Sequence, residues 1–205
     1  MATCRSMRRG AWRWPPAATP ITSPFPASAR RNMSMVAAVT ETIIIRPATA
    51  ADAADIAGMI NAAFAPYLGR LKPGPSALKE TAETIAPQLA PPGGGAVALC
   101  VDGTGRASAI AGTVLFKPEA DDLYFGRLAV PQAQRGHGIA GALIRFVEDE
   151  ARRRACAGIV LGVRIALPEN QRLFVHHGFA EVSRHAHDGY PEPTWIRMRK
   201  RLTSG

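Results

Sequence analysis

LYFGRLAVPQAQRGHGIAGALIRFVEDEARRR, residues 123–154, decides how the rest of the chain is read. Its apolar start ends in Leu128, Ala129 and Val130, and Pro131 stops it, because proline has no N–H to give a sheet ladder. Arg135-Gly136-His137-Gly138-Ile139-Ala140 turns into a helical pattern. Ile139, Leu143, Val147 and Ala151 recur every fourth residue, and Ile144 widens the stripe. A strand, a glycine-rich loop and a long amphipathic helix are therefore expected. Gly136, Gly138 and Gly141 let the main chain approach a ligand without Cβ clashes. The first turn of such a helix has N–H groups outside its ladder and carries the positive end of the dipole. With the charge of Arg135, the place suits a phosphate or pyrophosphate.

Two other phosphate loops are excluded. The nucleotide-hydrolase loop needs a Lys after its last glycine, and none follows here. Gly136 to Gly141 does spell G-x-G-x-x-G, but it lies deep in the chain rather than after the first strand, where a dinucleotide fingerprint belongs.

Working outward, residues 158–165 (GIVLGVRI) read as a buried strand, so 123–165 is strand-helix-strand with parallel strands and a right-handed crossover. Upstream, 42–47 (TIIIRP) is a first strand. Thr49 and Asp52 resemble a capping box before a helix carrying Ile56, Met59, Ile60, Ala63 and Phe64, closed by Pro66. Ser76 is expected to cap a second helix with Leu78, Ala82, Ile85 and Leu89 as its stripe, ended by Pro87 and the Pro91-Pro92-Gly93-Gly94-Gly95 run. Residues 96–101 and 107–116 are apolar runs joined by Asp102-Gly103-Thr104-Gly105, a hairpin signal. Together with 123–130 they predict an antiparallel meander. Downstream, 170–177 is a short helix ended by Gly178, and 179–183 and 194–202 are the last strands. The fold class is α/β, a mixed sheet with helices on both faces.

Arg135-x-x-Gly138-x-Ala140 fits the [QR]-x-x-G-x-[GA] signature of the GNAT superfamily of N-acetyltransferases. Leu128-Ala129-Val130-Pro131 resembles the family's strand before that loop. Asn170, Leu173-Phe174 and His177-Gly178-Phe179 resemble its second motif, and residues 43–202 follow the family's order. The resemblance implies a mostly antiparallel sheet of about seven strands, with the fourth and fifth parallel and splayed. It implies acetyl-CoA as cosubstrate. The pantetheine would lie along Leu128, Ala129 and Val130. The pyrophosphate would sit on the amides of Arg135, Gly136, His137, Gly138, Ile139, Ala140 and Gly141, with Asn170 and Phe174 completing the cofactor-binding set. Asn170 is read both as a cleft residue and as an N-cap. A main-chain N–H near Leu128 would polarise the thioester carbonyl. A neutral primary amine, on a small molecule or a peptide, would attack directly in a ternary complex. The rival from another class is a non-catalytic acyl-CoA-binding or regulatory module. It is favoured by one departure: many members carry Tyr where this chain has Phe174. The proton donor is therefore unassigned, with Tyr124, His176, His177 and Tyr190 as candidates. His185 and His187, two apart, are candidate bases.

Composition bounds the rest. The 205 residues suffice for one domain with an extension, and no apolar run reaches the ~18 residues of a membrane span. Cys4, Cys100 and Cys156 form no metal spacing or disulfide framework; Cys100 and Cys156 are read as packing thiols, in a reducing, cytoplasmic setting. No metal is expected. The net charge of +9 is mostly local: six of the 25 basic residues lie in 1–40, which has no acid, leaving 19 against 16, or +3. Residues 1–40, rich in Arg, Pro, Ala and Ser, are read as a disordered extension, either an over-long start or an organelle-targeting segment, and 41–205 as the domain. Nucleic-acid binding is not favoured, because that tail interleaves only Trp12 and Trp14 among its arginines. A homodimer is left open.

Overall fold

β-branched and apolar runs form seven strands, and their pairing builds one sheet in the order β1-β2-β3-β4-β5-β7-β6. The structure, a computed structural model, describes residues 42–101 and 106–203. The strands are β1 Thr42–Pro47, β2 Gly94–Val101, β3 Ala107–Glu119, β4 Asp122–Ala129, β5 Gly158–Arg164, β6 Ala180–His185 and β7 Trp195–Arg201. The helices are α1 Ala53–Phe64, α2 Ala82–Leu89, α3 Ile139–Arg153 and α4 Pro168–His176. β2, β3 and β4 form the expected antiparallel meander, β1 adds antiparallel to β2, β4 and β5 are parallel, and β7 lies antiparallel between β5 and β6.

Two cores fill the two faces. On one, α3 buries Ile139, Leu143, Ile144, Val147 and Ala151 against Leu123, Phe125, Ile159 and Leu161 of the sheet, with Phe174 of α4 alongside. On the other, Ile56 and Ile60 of α1 and Ile85 of α2 pack on Val97, Leu115 and Ala129. Each fully buried aliphatic contributes roughly 1.5–3 kcal/mol, so the spacing of these residues fixes the faces. Phe125, Phe174 and Phe179 meet edge to face at centroid distances of 5.8–6.0 Å and pin α4 to the sheet.

Several local expectations are corrected. Ser76 opens only a 3-10 turn, Ser76–Lys79; Thr81 caps α2, accepting from Thr84 N at 3.4 Å. Pro87 lies inside α2 rather than ending it. Asn170 is not the N-cap of α4, which begins two residues earlier at Pro168 after Leu167. Thr49 and Asp52 do form a capping box, on a 3-10 turn leading into α1, and Arg46 holds Asp52 through two bonds of 2.7 and 2.8 Å. Cys100 is a buried thiol, and Cys156 is buried in the same core just past α3. The readings placed on residues 1–40 and on Asp102-Gly103-Thr104-Gly105 lie outside the described residues.

Candidate active site

β4 and β5 stay paired for three residues only, from Asp122 opposite Gly158 to Tyr124 opposite Val160. Beyond that point β5 continues against β7 and β4 against β3, so the two strands part. The β5-facing edge of β4 after Tyr124 is left without a ladder partner. On its other edge β4 carries a bulge: Leu115 pairs with Gly126 and Thr113 with Ala129, so Arg127 and Leu128 together oppose Val114. Arg127 takes a left-handed φ of 53°, unusual for a residue with a side chain. Its guanidinium is fixed by Glu80, Nε to Oε1 at 2.7 Å. Burial alone would raise the Glu80 pKa, but hydrogen bonds from Thr84 and Arg127 outweigh it and keep the carboxyl below its ordinary range.

Past the bulge, the loop delivers a run of main-chain donors. Gly138 is the N-cap of α3 at φ 75°, with no side chain capping the helix. Ala142 N donates to Gly138 O at 3.0 Å and starts the ladder, leaving the amides of Ile139, Ala140 and Gly141 outside it. Gly136 and Gly138 both have left-handed φ, and a Cβ on either would meet open space. Their surface is thus bare main chain, as close anion contact requires. Gly141 serves differently: its Cβ would lie 3.0 Å from His177 Cε1, so it makes room for α4 rather than for a ligand.

These elements enclose a cleft of about 720 Å³. All twelve residues assigned to the cofactor line it: Leu128, Ala129, Val130, Arg135, Gly136, His137, Gly138, Ile139, Ala140, Gly141, Asn170 and Phe174. So do His176 and His177. Burial, followed by the nearby His176 and Arg145, pushes the His177 pKa down. Arg145, Tyr67 and Phe64 also line the cleft and were not foreseen. Arg145 stands two turns after Gly138, a spacing that could have found it; Tyr67 follows Pro66 in a 3-10 turn and gave no signal.

The remaining candidates lie elsewhere. Tyr124 is on the sheet face opposite Phe125, and its Oη lies 3.1 Å from where a Cβ on Gly126 would stand. The hydroxyl therefore reaches along β4 to the point where the strands part. Burial raises its pKa, so it stays protonated at neutral pH. Tyr190 lies in the β6–β7 connection. Neither candidate base is well placed: His185 stacks on Trp195 with centroids 4.3 Å apart, and His187 has both ring nitrogens engaged, by Thr194 and by Arg164. Among the described residues no cluster of three or more His, Cys, Asp or Glu is placed to hold a metal ion, and no helix is long and apolar enough to cross a membrane.

A splayed parallel pair, a bulged fourth strand and a bare helix start define an acyl-CoA transferase fold. Residues 55–179 match the model of the acetyltransferase (GNAT) family, and the chain belongs to that family. An acetyltransferase of Agrobacterium fabrum is 38% identical over 60 residues, 29% of this chain; the chain spans 42% of that protein's length. Among solved structures, the PaiA N-acetyltransferase of Thermoplasma acidophilum in complex with coenzyme A superposes with a TM-score of 0.63 at 15% identity, over 78% of this chain and 99% of that one. A ribosomal-protein-alanine N-acetyltransferase of Escherichia coli gives 0.62 at 17% identity, over 80% and 96%. These two likenesses concern the fold.

Proposed function

We propose that this acetyltransferase moves the acetyl group of acetyl-CoA to a primary amine of a small molecule or peptide, by direct attack in a ternary complex. The observation that carries the reading is the continuity of the cleft, from the unpaired edge of β4 to the bare amides that open α3. Leu128, Ala129 and Val130 offer an extended edge to the pantetheine, and the amides of residues 135–141 take the pyrophosphate. The amine nitrogen forms a bond to the thioester carbon, the C–S bond breaks, and the amine loses one proton while the thiolate gains one. The bulge presents the N–H of Leu128 to the oxygen on which charge develops. Phe174 is buried and has no proton to give. Tyr124, protonated and reaching the splay, is assigned as donor to the departing sulfur. A thiol with an ordinary pKa of about 8.5 needs only modest help near neutral pH, so a donor outside the second motif suffices. The catalytic domain is taken as residues 41–205, in a cytoplasmic setting.

Release of free thiol from acetyl-CoA across a panel of amines tests the reading. Turnover with at least one amine supports it. Thermal stabilisation by acetyl-CoA with no turnover across a broad panel would favour the binding module instead.

A further inference from the structure

The sheet face that bears Tyr124 changes character across the splay. Over β2 to β4 it is covered by α1 and α2, whose main sheet contacts are with those strands. Over β5 and β7 it bears Gly162 opposite Arg197 and Arg164 opposite Trp195, and Gly162 is exposed. Equal steps from Tyr124 and Val160 bring Arg164 level with Leu128 across the gap, roughly 13 Å beyond the last parallel pair.

Three arginines of this face are neutralised. Arg127 pairs with Glu80, Arg197 with Glu119, and Arg199 with Asp122. Arg164 has no carboxylate within ion-pair range among the described residues. Its Nη1 meets His187 Nε2 at 2.8 Å, and its Nη2 donates to the carbonyl of Pro73. Both partners are uncharged acceptors, for burial and the Arg164 charge outweigh Asp188 and hold His187 toward its neutral form. Three segments therefore converge on one half-buried guanidinium with no carboxylate paired to it: the α1–α2 connection, the end of β5 and the β6–β7 connection. Such a charge is costly to keep away from water, and its planar fork matches a carboxylate.

Resting on the transfer reading above, we propose that the acceptor carries a carboxylate as well as its amine, and that Arg164 anchors that carboxylate while the amine faces Leu128. The occupant spans the gap from Arg164 to the thioester. The same positive charge disfavours polycationic amines, and it eases loss of the proton from an ammonium nearby.

The test is thiol release from acetyl-CoA with matched acceptors, amino acids and short peptides against their C-terminal amides. Carboxylate acceptors should exceed their amides in kcat/KM by about ten- to a hundredfold, the range of one charge-assisted contact. Arg164→Gln should erase that preference through KM, costing the carboxylate acceptors far more than the amides, while Arg164→Lys should keep part of it. Equal rates for acids and amides in the unaltered protein would overturn the proposal. So would an equal loss for both in Arg164→Gln, which would make Arg164 a strut between loops. A second measurement needs no variant: a simple carboxylate without an amine should compete with the acceptor and not with acetyl-CoA. Failure to compete counts against the anchor. If no amine turns over at all although acetyl-CoA binds, the transfer reading falls and this one with it.

Discussion

The two walls of the splay between β4 and β5 are built on opposite plans. The wall that leads into α3 works through main chain: a bulge, an open strand edge and three amides outside the helix ladder. The other wall works through side chains drawn from distant segments. Arg164 of β5 reaches Pro73 across 91 residues and His187 across 23. Main chain suits a cosubstrate part that does not vary, a diphosphate on an extended arm. Side chains suit a partner that must be distinguished from others. The first wall should therefore fail when its backbone is disturbed, and the second when its charges are.

The most damaging change should be Gly138→Leu. The residue sits at φ 75° with open space where a Cβ would point, so the added side chain enters the cleft and the backbone is strained. Acetyl-CoA binding should weaken by on the order of a thousandfold or more, about 4 kcal/mol. Titration calorimetry would show it, with circular dichroism confirming the fold. Near-normal affinity would break the claim that this wall works by bare main chain.

Next in size is Tyr124→Phe. Removing a proton donor should lower kcat by about a hundredfold, with acetyl-CoA affinity unchanged. An unchanged kcat would return the proton to water or to His176.

What was legible in the sequence follows the same division. Gly136, Gly138 and the four-residue period from Ile139 to Ala151 announced the loop and α3, because a helix writes its buried face into local spacing. The second motif gives α4 and Asn170, but the N-cap lies three residues before Asn170, at Leu167, because Pro168 suits the first helical position. Ser76 and Thr81 are both capping types, and only the packing of Ile85 decides that α2 begins after Thr81 rather than after Ser76. Nothing local marks Glu80 as the partner of Arg127, or Arg164 as a half-buried cation with no carboxylate paired to it among the described residues. Those facts exist only once strands far apart in sequence lie together. The bulge was invisible for the same reason, since Arg127 is neither glycine nor asparagine.

A smaller effect separates backbone from charge at that bulge. Arg127→Ala removes the partner of Glu80, whose side chain is 8% exposed, and keeps a Cβ at φ 53°. Arg127→Gly removes the partner but relieves the φ. Both should lose stability, by about 1–2 kcal/mol given that the arginine side chain is 32% exposed and partly screened. The glycine variant should be the more stable of the two by about 1 kcal/mol. Chemical denaturation measures both. If alanine and glycine are equal, the φ is not a strain that the ion pair holds in place.

The smallest effect is on pH, and it compares the two walls directly. His177 on the cofactor side and His187 on the acceptor side both have pKa values pushed below the ordinary histidine range, chiefly by burial. A base held neutral by the fold contributes stability above its unfolded pKa, about 6.5. That contribution is lost as pH falls through 6.5 toward the folded value. The melting temperature should therefore decline by a few degrees between neutral pH and pH 5, before most carboxylates are protonated. His187→Asn should flatten the decline and leave acetyl-CoA binding alone. His177→Asn should flatten it too, and also weaken the pH dependence of acetyl-CoA binding, because that ring lines the cleft. If both substitutions change coenzyme binding alike, the walls are not independent, and the division between a main-chain side and a side-chain side loses its footing.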